Sequence, residues 1–375
     1  MKNNFGIYIH IPFCVRKCYY CDFISFSNKD ELIEKYIKAL KKEIEEFNFS
    51  MYNTTTIYIG GGTPSYLEAK YIEEILNLIK KKLEKNKTNW EDIEITIELN
   101  PGTVTEEKLK IYKEIGINRL SIGLQSTNDK LLKEIGRIHT YKEFLDTYNL
   151  AKKIGFNNIN VDLMIALPNQ SIKDIKESLE KIVELNPNHV SVYSLIVEEG
   201  TPFFKWLEER KIKLPSDEEE RRMYWYVKNF LELHEYNHYE ISNFAKKKKE
   251  AKHNLNCWNQ EEYIGFGLAA HSYINKIRFC NTNNLEKYIE NNEREIEEKQ
   301  TEDDEKKEFM MLGFRKIDGI KISEFKKKFG ENPLFLYRKE LNKLAKENLI
   351  EVDLDSIRLT SKGIDLANLV FEEFI

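Results

Sequence analysis

Aliphatic and polar residues alternate with a period of two in six short runs through the first half of the chain, residues 7–11, 56–60, 93–98, 120–125, 159–164 and 190–195. Ile7, Ile9 and Ile11 alternate with Tyr8 and His10, and Ile93, Ile95 and Ile97 with Glu94, Thr96 and Glu98. Leu120, Ile122 and Leu124 alternate with Ser121, Gly123 and Gln125, and Ile159, Val161 and Leu163 with Asn160, Asp162 and Met164. Successive strand side chains face opposite ways, so each run predicts a strand with one aliphatic and one polar face. Between them, residues 30–47, 69–85, 105–115, 141–154 and 172–185 show the helical period. Strand–helix alternation predicts a parallel sheet of right-handed βα units. A parallel sheet covered on both sides reads as apolar on both faces. A polar second face instead predicts an α/β fold closed into a partial (β/α)6 TIM-like barrel around a ligand-filled interior, with an open sheet as the alternative.

Farther along, residues 215–234 predict a long helix covering one barrel edge. Residues 285–307 are so charged that they predict a solvated helix and connector. Helical segments at 322–329 and 333–347, then a hairpin at 349–359 and a last helix, predict a small winged-helix-like α+β unit. Three units are expected: 1–200 as the barrel core, 201–295 as an extension covering it, and 296–375 as the C-terminal domain.

The chemistry gathers where the first strand ends. Cys14, Cys18 and Cys21 stand in Pro12-Phe-Cys14-Val-Arg-Lys-Cys18-Tyr-Tyr-Cys21. Thiolates so closely spaced can converge on one iron–sulfur cluster, and three ligands leave one iron of a cubane open to an outside molecule. Structural zinc takes four ligands, usually as two separated pairs; Cys257 and Cys280 are remote and unpaired, and His10 sits on a strand. Zinc and buried structural cysteine are the competing readings. In βα barrels, ligands meet the C-terminal ends of the strands, the position of this loop.

Other residues map to the same rim. Gly60-Gly61-Gly62 follows the second strand and lets the backbone approach a ligand closely. Glu98 ends the third strand, where a carboxylate can pair with a ligand ammonium. Gln125 ends the fourth strand, Asp162 lies on the polar face of the fifth, and Arg137 follows in Gly136-Arg137-Ile-His139.

Composition narrows the function classes. With 375 residues, 41% hydrophobic and 12% aromatic, the chain is long enough for one large domain and a smaller one. A net charge of −5 argues against a general nucleic-acid partner, and across the C-terminal unit that holds Lys326-Lys327-Lys328 acids slightly outnumber bases. No run approaches the roughly 20 apolar residues of a transmembrane segment. Five cysteines with three clustered do not form a secreted framework, so a reducing cytoplasm is expected.

Taken together, the motifs resemble those of radical S-adenosylmethionine (SAM) proteins, and more narrowly the oxygen-independent coproporphyrinogen oxidase superfamily. The matching stretches are Tyr8-Ile-His10-Ile-Pro-Phe-Cys14, Gly60-Gly-Gly-Thr63-Pro, Glu98-Leu-Asn-Pro101, Arg119-Leu-Ser-Ile-Gly123-Leu-Gln125, Gly136-Arg-Ile-His139, Asp162-Leu-Met-Ile-Ala-Leu-Pro168 and Tyr239-Glu-Ile-Ser-Asn-Phe244. The resemblance implies a [4Fe–4S] cluster on Cys14, Cys18 and Cys21 whose open iron chelates SAM. The implied SAM contacts are Tyr8, Tyr20, Gly61, Gly62, Thr63, Glu98, Gln125, Arg137 and Asp162. In the family's enzymes an electron from the cluster cleaves the sulfonium, which requires an outside electron donor.

Two departures separate this chain from the decarboxylating oxidase. That enzyme carries another cysteine two residues past the third ligand, where this chain has Phe23, and a longer segment before the first strand. Both departures match the heme chaperone branch, which implies heme and client apo-hemoproteins as partners and leans away from an enzyme. The alternative is the oxidase itself, oxidatively decarboxylating porphyrinogen propionates. His253-Asn-Leu-Asn-Cys257-Trp258 resembles the branch's HNxxYW motif, implicated in heme handling, with Cys257 in place of its tyrosine. Histidine and cysteine both ligate heme iron, and positions four apart share a helix face, so His253 and Cys257 are the heme candidates. A core histidine beside a buried cysteine is the other reading. His271 is a further candidate.

Overall fold

The aliphatic faces of the predicted strands become one continuous core. In the computed structural model, which describes residues 4–86 and 88–375, six strands run parallel and in chain order. They are β1 (Asn4–Ile11), β2 (Asn53–Gly61), β3 (Glu94–Leu99), β4 (Arg119–Gln125), β5 (Ile159–Ile165) and β6 (His189–Ser194). Ile7, Ile9, Ile57, Ile59, Ile95, Ile97, Leu120, Ile122, Ile159 and Val161 are fully buried on the outer face. Each such side chain contributes about 1.5–3 kcal/mol through burial. The helices Ile33–Glu46, Ala69–Glu84, Glu106–Glu114, Tyr141–Ile154 and Ile172–Leu185 cover that face with their own apolar stripes. The first three residues and Lys87 lie outside the described residues of the expected 1–200 core.

The sheet extends at both ends. β7 (Asn237–Glu240) and β8 (Asn243–Ala245) add antiparallel beyond β6. β9 (Glu262–Phe266) pairs parallel with β1, followed by the antiparallel β10 (His271–Ile274), β11 (Ile277–Asn281) and β12 (Arg294–Lys299). β12 and β7 are its two edges, so this is a partial barrel. The long helix Asp217–Leu233 is present, begun by a capping box on Ser216 and Glu219.

One expected solvated helix and connector differs. Residues 285–307 instead hold a short helix, Leu285–Glu290, then edge strand β12 and the start of the helix Glu302–Gly313. All six β12 residues are exposed, which removes the one-sided hydrophobic alternation that marks a strand. Charged side chains on an edge strand discourage pairing with other chains.

Beyond residue 300 a second core joins Phe309, Phe314, Phe325, Ile357 and Val370, around the sheet β13 (Ile320–Lys321), β15 (Ser356–Leu359) and β14 (Ile350–Val352). Among the described residues, no helix is long and apolar enough to cross a membrane.

Candidate functional site

The cysteine loop is closed at its neck by backbone bonds. Cys14 donates to the Phe26 carbonyl (2.9 Å) and Phe26 to that of Pro12 (2.7 Å). The glycine turn then docks on this neck, with Gly62 N–H donating to Ile11 O (2.8 Å) and Thr63 N–H to Phe13 O (2.9 Å). A Cβ on Gly62 would lie 2.8 Å from Phe13 O and 2.9 Å from Cys14 Sγ, so the close approach requires glycine. Across the barrel, Tyr19 N–H reaches Ile135 O and Phe203 N–H reaches Tyr19 O, each at 3.1 Å, fixing the far side of the loop.

All three cysteines line one cavity of about 420 Å³, within the usual size of a small-molecule site. Thr63 Oγ1 donates to Cys14 Sγ (3.5 Å), and Arg137 Nη1 to Cys18 Sγ (3.8 Å) and Asn100 Oδ1 (3.0 Å). Arg137 Nη2 donates to Gly123 O (3.0 Å), while its Nε is buried without a partner. Burial pushes the Cys14 thiol up and the Cys21 thiol to about 11. Three thiols with a cationic donor beside them are a donor set that fits an iron–sulfur cluster, whose thiolates need compensation once the protons leave.

The cavity wall carries acids and donors. Glu98 accepts from Tyr58 O–H (2.8 Å) and Gly61 N–H (3.1 Å). Burial raises its carboxyl to about 7, against these two hydrogen bonds. Asp162 accepts from Asn160 Nδ2 (2.7 Å) and Ser121 Oγ (3.2 Å), and burial raises it too. Gln125, held at φ +70° beside a bulge in the β4–β5 pairing, also faces the cavity. Tyr20, Gly61, Gly62, Thr63, Glu98, Gln125, Arg137 and Asp162 thus share the wall.

Tyr8 takes a different place. Its O–H donates to His10 Nδ1 (2.9 Å), and His10 Nε2 donates to Ile24 O (2.9 Å), bracing β1 against the cysteine loop. Asn100 and Tyr193 are cavity residues that sequence reasoning did not single out. Asn100 stood inside the quoted Glu98-Leu-Asn-Pro101 motif, and Tyr193 continues the inward alternation begun by Ser191.

His253 and Cys257 lie at the other end of the barrel, on the helix Lys252–Trp258. Glu94, the first residue of β3, accepts from the N–H groups of Lys252 (2.9 Å) and His253 (3.3 Å). Asn256 Nδ2 donates to Thr55 Oγ1 (3.1 Å), so this helix floors the barrel below the N-terminal ends of β2 and β3. His253 is buried, bonded through Nδ1 to Thr56 Oγ1 (2.9 Å), with its ring stacked on Tyr58. Burial lowers its pKa to about 4 and raises the Cys257 thiol to about 11. Tyr58 touches both the floor and the cavity, since its hydroxyl holds Glu98.

Comparison with known proteins agrees with this geometry. The Radical SAM superfamily family model matches residues 8–182, and the HemN C-terminal domain model matches residues 300–366. "Heme chaperone HemW" of Lactococcus lactis is 39% identical over 98% of this chain and 96% of its own length. That of Bacillus subtilis is 38% identical over 98% of both chains. The solved coproporphyrinogen III oxidase (HemN) from Escherichia coli, a radical SAM enzyme, superposes with TM-score 0.85 at 25% identity, covering 100% of this chain and 90% of that one. The radical SAM fold implies a [4Fe–4S] cluster and SAM. With near-full-length identity at this level, the chain belongs to the HemW family of radical SAM proteins.

Proposed function

We propose that this protein is a heme chaperone that binds a [4Fe–4S] cluster and SAM and passes heme to client apo-hemoproteins. The observation that supports this most is the lip of the three-thiol cavity. Phe23 and Ile196 line it and are 63% and 69% exposed. Phe23 stands where the oxidase pattern has its additional cysteine, so the mouth offers an exposed aromatic side chain at that position. A porphyrin is a broad apolar plane, and exposed aromatic and aliphatic side chains lining one mouth suit its face.

Cys14, Cys18 and Cys21 would hold the cluster, with Arg137 and Thr63 donating to the sulfurs of Cys18 and Cys14. Glu98 would receive the ammonium of SAM, with Gly61 and Gly62 letting its polar end approach the backbone. When bound, the cluster supplies one-electron reduction toward the SAM sulfonium, for which an outside electron donor is the further partner. The residues around it position SAM, and the helix Lys252–Trp258 closes the floor against water. Heme is received at the mouth, not at His253, whose Nδ1 already holds Thr56 on the opposite end of the barrel.

The fold likeness to an oxidase supports coproporphyrinogen III decarboxylation as the second reading. One anaerobic experiment separates the two. Protein with its cluster assembled is titrated with heme, and separately given coproporphyrinogen III, SAM and reductant. Heme binding near one per chain without porphyrinogen turnover is expected. Catalytic formation of protoporphyrinogen IX would overturn the chaperone reading.

A further inference from the structure

Away from the barrel mouth, three adjacent antiparallel strands bring three different metal-ligating side chains together. His271 opens β10, Cys280 lies opposite it on β11, and Glu297 comes from β12. One ligand atom from each lies within 4.8 Å of the other two. His271 Nδ1 is 3.0 Å from Glu297 Oε2.

Glu297 has no direct partner on β11. Arg278 pairs with Glu298 and Phe279 with Ile296, so Glu297 is the extra residue of a bulge in β12. A bulge re-aims the side chain it inserts. Glu297 also lies two residues from Glu295, the direct partner of Cys280, so alternation along β12 turns it to the same face, where its carboxylate meets both the imidazole and the thiol. Glu295, paired directly with Cys280, adds a second negative charge beside the thiol. Those two carboxylates, after burial, push the Cys280 thiol up to about 11.

We infer that His271, Cys280 and Glu297 form a surface site for a zinc-class divalent ion, with the fourth position open to water. One imidazole nitrogen, one thiolate and one carboxylate oxygen suit a borderline-soft ion of tetrahedral preference. Binding through the thiolate releases the thiol proton. Convergence of all three donors on one point fits a bare ion better than heme iron, whose four equatorial positions are taken by the porphyrin. The ion would pin exposed edge strand β12 to β11 and β10. It is separate from the cysteine loop and does not depend on the heme reading.

The test uses the full chain with its iron–sulfur cluster assembled, so that Cys14, Cys18 and Cys21 are not free to bind added metal. Cobalt(II) chloride is titrated anaerobically and then displaced with zinc chloride. One equivalent of cobalt should give a thiolate-to-cobalt charge-transfer band that zinc abolishes. Cys280→Ser should lose the band, and His271→Ala and Glu297→Gln should weaken binding on the order of a hundredfold, with iron and sulfide content unchanged. Zinc should also slow amide exchange in β12 in the parent protein and not in the variants. If Cys280→Ser fails to fold, the His271 and Glu297 variants, altered at exposed side chains, read the same site. Absence of a stoichiometric cobalt–thiolate band, or a band that persists in all three variants, would overturn the assignment.

Discussion

Glu98 makes the site's pH response calculable. Its carboxyl is raised by burial to about 7, so without cofactor it is protonated below that pH. The ammonium of SAM favours the charged form, so binding below pH 7 must expel a proton. Affinity for SAM should therefore fall toward about tenfold per unit below pH 7. Isothermal titration of Glu98→Gln should show weaker binding with that slope removed; an unchanged slope would assign the titration elsewhere. Cys14→Ser should bring cluster iron and sulfide, measured after anaerobic reconstitution, close to background. His253→Ala removes a buried ring and the partner of Thr56, and should lower stability in urea by about 2–4 kcal/mol while leaving heme affinity intact. The cysteines, glycines and strand-end acids were legible in the sequence because their types and spacing are local. The bond from the Tyr8 hydroxyl to His10 Nδ1 was not legible, because it depends on the His10 ring being held by the carbonyl of Ile24, fourteen residues on.

At the scale of elements, the parallel strands and their covering helices were readable from period alone, since both faces of each strand are decided by burial. β12 was not, because an edge strand with every residue exposed keeps no apolar alternation. The floor was also hidden. His253 and Cys257 could be placed on one helix face, but only the fold sets the N-terminus of the helix Lys252–Trp258 on Glu94, more than 150 positions earlier. A carboxylate at a helix N-terminus satisfies unpaired N–H groups and opposes the positive end of the helix. Glu94→Ala should cost about 1–2 kcal/mol in urea denaturation. Amide exchange should rise in residues 252–258 first; uniform exchange across the barrel would contradict a local cap.

Over the whole molecule, the separate core beyond residue 300 is tied to the sheet by defined contacts. Ile241 N–H donates to Arg315 O and Ile317 N–H to Tyr239 O, each at 3.1 Å. Arg278 Nε on β11 donates to Glu308 (2.9 Å), and the Arg315 guanidinium lies over Trp258. Arg278→Ala should loosen the terminal unit by about 1–3 kcal/mol, seen as faster trypsin cleavage between residues 291 and 301 with cluster iron unchanged. The sequence announced a second unit through its change of composition, but not these ties, which join residues distant in the chain.

A cluster-bearing barrel that receives heme at its mouth must also give it up. The most direct test is transfer. Cluster-loaded protein carrying one heme is mixed anaerobically with the apo form of a b-type hemoprotein, and the acceptor's heme absorption is followed. The account predicts that heme moves to the acceptor faster than from a Phe23→Asp variant loaded under the same conditions. Heme that stays bound, or moves at the same rate from both, would contradict it.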